Sequence, residues 1–288
     1  MSKISKSLAN ALALVLASSS VTAGVIGGGV GLPGIPTIRS LEMQALAKPE
    51  SLQNNTFASN GNGTADPRIY GKTYAEWTAE WWKWALSFPI DSNPITDKTG
   101  EFCDKGQSGP VWFLAGTLGE SLERTCKIPA GKAIFYPLIN IVWIDCPEST
   151  DEDLTDDEVG WILANFQPPG DSACQLTSTL DTFLAPNFGD EFDMPLSALR
   201  KPAIRTQSPV FSAYLPENSL MSEACPQPDY LVPMPSGNTG RAVSEGHWVM
   251  LPPLENGEHL LKLHGAGCGP DGEILFENAV TYHLTIKP

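Results

Sequence analysis

Tyr74, Trp77, Trp81, Trp84, Ala85 and Phe88 recur at steps of three and four, with Glu76, Glu80, Lys83 and Ser87 on the opposite side. That period predicts an amphipathic helix. Thr73 and Glu76 have the spacing of a capping box at its start, and Pro89 ends it. Trp82 falls off the stripe, beside Ala75, Ala79 and Leu86, so the apolar surface is wider than one contact face needs. Such a helix packs against a β core. The competing reading leaves Trp82, or a neighbouring tryptophan, exposed as a stacking platform for sugar rings.

From Gly109 onward the pattern becomes that of strands. Apolar runs occupy 110–117, 124–128 and 132–145, and later 208–215, 241–251, 259–264 and 274–286. In the last run Val280, Tyr282, Leu284 and Ile286 alternate with Ala279, Thr281, His283 and Thr285. Period two marks a strand with one buried face. Pro270-Asp271-Gly272 is a turn signal before it, so the chain is predicted to end as an antiparallel meander. A second helix is predicted from Thr155, where Thr155 and Glu158 form another capping box ahead of Val159, Ile162, Leu163 and Phe166. The expected fold is mainly β: a single β-sandwich or jelly-roll-like domain over 67–288, with the Trp-rich N-terminal helix and one inserted helix.

The segments ahead of that domain change where the protein is expected to work. Residues 1–23 read as a secretory signal, with Lys3 and Lys6, an apolar stretch over 8–17 broken only by Asn10, and small residues Val21 and Ala23 at the cleavage positions. The stretch is too short to cross about 30 Å of hydrocarbon, and no transmembrane segment is expected later. Residues 24–66 read as a flexible linker rich in glycine and asparagine, with glycosylation sequons at Asn54 and Asn62. The expected location is outside the cell or in the periplasm. Thiols there are oxidised, so Cys103, Cys126, Cys146, Cys174, Cys225 and Cys268 read as disulfides. Spacing favours Cys103–Cys126, Cys146–Cys174 and Cys225–Cys268 and leaves other connectivities open. The net charge of −15 repels phosphate backbones, which excludes nucleic acid as an expected partner.

Several motifs together resemble an uncharacterised family of secreted, mainly bacterial proteins. They are Tyr70-Gly71 before the Trp-rich helix, the GPVWFLAGT run from Gly109, Arg124-Thr125-Cys126, and Pro129-Ala130-Gly131-Lys132. Later come Ser208-Pro209-Val210-Phe211, Leu215-Pro216-Glu217, the GHWVMLPPL run from Gly246, Gly257-Glu258-His259, and the closing VTYHL from Val280. The resemblance spans most of 67–288 and implies exported β architecture without an assigned activity. It also implies tyrosine where this chain has His247, which makes that position one of aromatic packing and weakens it as a ligand.

Candidate chemistry is sparse. The chain has no Gly-x-Ser-x-Gly elbow, no His-Glu-x-x-His, no P-loop and no dinucleotide fingerprint. All four histidines lie in the C-terminal strands. His247, His259 and His283, with Glu245 or Glu258, are candidate ligands for a divalent metal, while His259 and His264 are predicted to point to opposite faces. No other cofactor is expected. Six acids over 151–158 suggest a calcium loop, but the EF-hand spacing and glycine are missing. A glycosidase would need paired carboxylates, for which Asp145, Asp190, Glu191 and Asp193 are candidates without a distinguishing spacing. The first expectation is therefore a non-catalytic exported binding or surface protein for a glycan or envelope component, with Trp82 and Trp248 as candidate ligand-binding residues. The alternatives are an extracellular hydrolase, possible on carbohydrate, or a metal-dependent protein.

Overall fold

The structure, a computed structural model, describes residues 68–145, 155, 173–181, 183–184, 191–192, 203–221, 225–226, 231–232, 234–269 and 271–288. The expected signal, linker and sequons, the helix expected beyond Thr155, all six acids over 151–158, Cys146, Asp190 and Asp193 lie outside the described residues.

The tryptophan stripe forms helix α1, Tyr74–Leu86. Its predicted capping box is present: the Thr73 hydroxyl accepts from the Glu76 amide at 3.1 Å, and the Glu76 carboxylate accepts from the Thr73 amide at 2.7 Å. At the other end Asn93 donates to the Ala85 carbonyl at 2.8 Å and to the Phe88 carbonyl at 3.1 Å. The first of these satisfies a carbonyl that the helix end leaves open, and the second holds the turn that follows.

The strands follow in chain order: β1 Val111–Phe113, β2 Ser121–Pro129, β3 Ala133–Ile144, β4 Ala173–Leu180, β5 Phe183–Leu184, β6 Glu191–Phe192 and β7 Ile204–Gln207. Then come β8 Tyr214–Leu215, β9 Cys225–Pro226, β10 Leu231–Val232, β11 Gly237–Asn238, β12 Ala242–Leu251, β13 Gly257–Cys268 and β14 Ile274–Lys287. Two four-stranded sheets dominate, with orders β1-β3-β12-β7 and β2-β14-β13-β4. They share one core, in which Ile134, Tyr136, Val249 and Leu251 of the first sheet meet Ile128, Leu261, Leu263, Tyr282 and Leu284 of the second. Helix α1 covers the other face of the first sheet, where Trp81 and Trp82 meet Phe135, Trp248 and Met250. The protein is a mainly β sandwich with a helix laid on one outer face. Between helix and sandwich core, β3 and β12 are covered on both sides, which is why both read as long apolar runs.

One expectation about these strands fails. The run over 241–251 does not neighbour the last two strands. β12 lies in the first sheet between β3 and β7, whereas β13 and β14 form a hairpin in the second. The chain changes sheet through 252–256, where Pro252 and Pro253 cannot donate to a ladder. The meander expectation rested on turn signals alone, which do not say which sheet the next strand joins.

Pro137 has no N–H to give to β12, and the ladder slips beside it: Trp248 faces Pro137, His247 faces Ile139, and Leu138 is left over. The second sheet fits around this bulge. Asn278 donates to the Leu138 carbonyl at 2.7 Å. Gly265 lies beneath it, and a Cβ on Gly265 would stand 2.2 Å from the same oxygen. Gly265→Ala is expected to force the sheets apart at this point and to cost about 2 kcal/mol, as overpacking of a filled core does. Urea denaturation of the reduced-free, disulfide-intact protein measures it, and an unchanged midpoint contradicts the close approach.

Among the described residues two disulfides are formed, Cys103–Cys126 and Cys174–Cys268. The first matches the expected pair. The second corrects the other two, because Cys174 on β4 and Cys268 on β13 sit on neighbouring strands and take each other. Proximity along the chain misjudged them, since strand pairing brings together residues 94 apart. Cys103–Cys126 ties the 97–106 segment to β2, an outer strand of its sheet. There the Thr125 amide donates to the Thr99 carbonyl at 2.9 Å. Gly100, at φ +92°, lets the segment lie flat on that edge, since a Cβ would meet the Thr125 carbonyl oxygen at 2.1 Å.

Candidate functional site

The tryptophans proposed as a stacking platform are inside. Trp82 is 1% exposed and Trp248 is 0% exposed. Trp81 lies between them, its ring edge-on to Trp82 at 5.1 Å and to Trp248 at 5.4 Å, and Trp248 stacks on Phe135 at 5.2 Å. Neither Trp82 nor Trp248 offers a face to a sugar ring. The wide apolar surface of α1 is explained instead by cover on two sides, the first sheet beneath and Ile95, Gly116 and Phe276 beside Trp82. The pocket they leave, also lined by Asn140 and Asn278, has about 10 Å³ of room, enough for about one water.

The histidines proposed as one metal set are dispersed. His247 is in the first sheet, opposite Arg205 of β7. Burial lowers its pKa, and the Arg205 charge lowers it further, both favouring the neutral imidazole. His259 stands opposite Leu284 on the core side of the second sheet, at its rim. His283 stands opposite Leu260 on the outward side. His264 shares that outward side but lies opposite Ala279, about 13 Å along the strands from His283 at normal strand rise. A zinc-type site needs ligand atoms about 2 Å from one ion. Among the described residues no three His, Cys, Asp or Glu side chains are grouped to hold a metal ion. The predicted opposition of His259 and His264 is present, while the proposed set failed because it assumed β12 beside β13.

Each of the other three histidines faces a carboxylate. His264 Nε2 lies 2.8 Å from Glu277 Oε1. His283 Nε2 pairs with Glu123 Oε1. His259 Nδ1 lies 2.7 Å from Asp181 Oδ2. The last has the form of a catalytic dyad, but its Nε2 faces the Glu255 backbone carbonyl at 2.9 Å and no nucleophile. Glu258, the other carboxylate offered to a metal, accepts from the Thr285 hydroxyl at 2.8 Å.

Among the carboxylates considered for hydrolysis, Asp145 holds Arg241: Oδ2 accepts from the Arg241 amide at 2.9 Å and from Nε at 3.0 Å, and Oδ1 accepts from Nη2 at 3.3 Å. This clamp closes the ends of β3 and β12. Glu245 is bound to Arg205 at 2.7 Å. Glu191 lies in β6, paired with β5.

What remains as a surface is the outward side of β2-β14-β13-β4. Strand alternation places Glu123, Thr125 and Lys127 there from β2, Thr281, His283 and Glu277 from β14, Lys262 and His264 from β13, and Thr177 and Thr179 from β4. Thr177, His283, Glu123 and Thr125 are exposed. Hydroxyls both donate and accept, and each paired imidazole keeps Nδ1 as a second hydrogen-bonding atom. The face therefore presents hydrogen-bonding groups at the fixed spacing of a sheet. Period two marked this face in β14 from the sequence, but its neighbours could not be named without the strand order.

Arg124 went unnoticed among the sequence candidates, although it is 1% exposed and donates to four main-chain carbonyls and to the Tyr282 hydroxyl. The signal was present: Arg124 shares the parity of Cys126 and Ile128, and all three point inward on β2.

Comparison with known families, curated proteins and solved structures finds no match. Among the described residues no helix is long and apolar enough to cross a membrane.

Proposed function

We propose that this is an exported, non-catalytic binding protein that recognises a hydroxyl-rich glycan, of the cell envelope or its surroundings, through the outward face of β2-β14-β13-β4. The supporting observation is the composition of that face: threonine hydroxyls and two carboxylate-held imidazoles on strands that a packed core keeps rigid. Such groups suit a neutral, hydroxyl-bearing partner, whereas the net charge of −15 opposes polyanions. The sequence pattern of 1–23 and the disulfides support work in an oxidising compartment, secreted or periplasmic. The resemblance to secreted bacterial proteins supports the same location.

The test is retention of the mature protein on immobilised polysaccharides and a glycan array, compared with a Thr177→Val/His264→Ala variant. Each lost hydrogen bond contributes about 1 kcal/mol, so two such losses should weaken binding by about tenfold or more. Absence of retention on every glycan, or retention that the variant leaves unchanged, rejects this face as the site.

A further inference from the structure

Both nitrogens of one imidazole face acceptors. His259 Nδ1 lies 2.7 Å from the Asp181 carboxylate, and Nε2 lies 2.9 Å from the Glu255 main-chain carbonyl. A neutral imidazole carries one N–H and can satisfy one of them, with the other nitrogen turning a lone pair toward an oxygen lone pair. An imidazolium satisfies both. The geometry therefore calls for the protonated ring.

The two acceptors belong to parts of the chain that His259 joins. Asp181 follows β4 directly, in the left-handed region at φ 51°. It is docked onto β13 by backbone and side chain: its amide donates to the Leu260 carbonyl at 2.8 Å, and its Oδ1 accepts from the Leu260 amide at 2.9 Å. Glu255 lies in the exposed 252–256 crossover between β12 of the first sheet and β13 of the second. No other contact of this kind links the end of β4 to that crossover among the hydrogen bonds of the described residues.

We propose that His259 is a proton-operated latch that fastens the crossover between the two sheets to the end of β4. When the ring releases a proton to solvent, the remaining proton stays on Nδ1, where the carboxylate is the stronger acceptor. Nε2 then repels the Glu255 carbonyl, and the crossover loses its hold. The charged groups that bear on the ring are the Asp181 and Glu255 carboxylates, both of which favour the cation. Across the ladder β14 presents Leu284. Burial lowers the pKa of His259. The Asp181 hydrogen bond, the Glu255 carbonyl and the charges of both acids outweigh it and leave the group above the ordinary histidine value. A pKa raised on folding means that the stabilisation is complete below about pH 6.5 and is lost as pH rises through the folded value. The latch closes in acid and opens toward alkaline pH, whatever the sheet face binds.

The experiment follows imidazole nitrogen resonances and backbone hydrogen exchange of the wild-type protein from about pH 5 to pH 9. His259 should carry both N–H protons at about pH 6.5 and should titrate at higher pH than unpaired histidine. Once the intrinsic rise of exchange with pH is divided out, protection at 255–258 should fall about threefold or more through that titration. His259→Gln, which offers one donor group in place of two ring nitrogens, should show the low protection at every pH. Asp181→Asn should move the titration to lower pH. A His259 that is a single neutral tautomer at about pH 6, or protection that ignores its titration, overturns the latch. The wild-type measurement decides this even if either variant fails to fold.

Discussion

Arg124→Met will lower the free energy of unfolding by about 4 kcal/mol, among the largest effects of a single substitution in this chain. Its guanidinium donates from Nε to the Asp97 carbonyl at 2.7 Å and from Nη2 to the Ile95 carbonyl at 2.9 Å. Nη1 reaches the Ala115 and Gly116 carbonyls at 3.1 and 3.0 Å and the Tyr282 hydroxyl at 3.0 Å. A buried ion pair can often be replaced whole by apolar side chains at little cost. That escape is closed here, because the partners are main-chain oxygens that no substitution removes. Each one stranded without a donor costs about 1–3 kcal/mol. Lysine restores the charge but not the fork of donors, so Arg124→Lys should recover only part of the loss. Urea denaturation followed by tryptophan fluorescence measures both variants, and a loss below about 1 kcal/mol for methionine contradicts the account.

The same substitution should show itself in acid. Burial raises the pKa of Asp97, but the amides of Phe102, Thr99 and Gly100 and the Arg124 charge outweigh it, leaving the group below the usual carboxylate value. A pKa lowered on folding gives stability that is present above about pH 4 and lost as pH falls through the folded value. Without Arg124 that lowering is smaller. The variant therefore has less Asp97-linked stability to lose, and its deficit relative to the wild type should narrow as pH falls below about 4, as urea denaturation at several pH values would measure.

Trp81→Ala will cost about 4 kcal/mol, through the cavity it opens and the acceptor it abandons. The ring is 1% exposed and touches Trp82, Trp84 and Trp248. Its Nε1 donates to the Leu114 carbonyl at 2.9 Å, just beyond β1. For a domain of roughly 200 residues the loss corresponds to a melting temperature lower by about 8–16 °C. Trp81→Phe keeps most of the volume and gives up the donor, so its cost should fall to about 1–2 kcal/mol. Equal losses for the two variants would show that the hydrogen bond, rather than the packing, holds the helix to the sheet. Trp77 and Trp84 are anchored in the same way, to the Ile69 carbonyl at 2.7 Å and the Lys105 carbonyl at 2.8 Å. The helix thus fixes three separate loops through its indoles.

Local chemistry made the helix legible in advance. The Thr73–Glu76 cap and the turn before Pro89 are decided within a few residues, and the chain follows them. The long strands were legible for a similar reason, since an apolar run or a period of two is a local property. Partnership is not local. Nothing near β12 states that it will lie between β3 and β7, so the histidine set was assembled from strands that occupy different sheets. Cys174 and Cys268 were misassigned for the same reason. Trp82 shows a further limit: helical period tells which residues share a side, but not how many sides the fold will cover.

The parallel pairing of β2 with β14 has a consequence for how the molecule is made. Ser121 of β2 lies beside Ala279, and Pro129 beside Lys287, so β2 finds this neighbour only after the other strands of its sheet have been made. Synthesis runs from the N-terminus, and β2 waits through most of it with one ladder unmade. Contacts of such long sequence separation form slowly. A chain made only as far as β13 therefore cannot complete its second sheet, because β14 is the strand that joins β2 to β13.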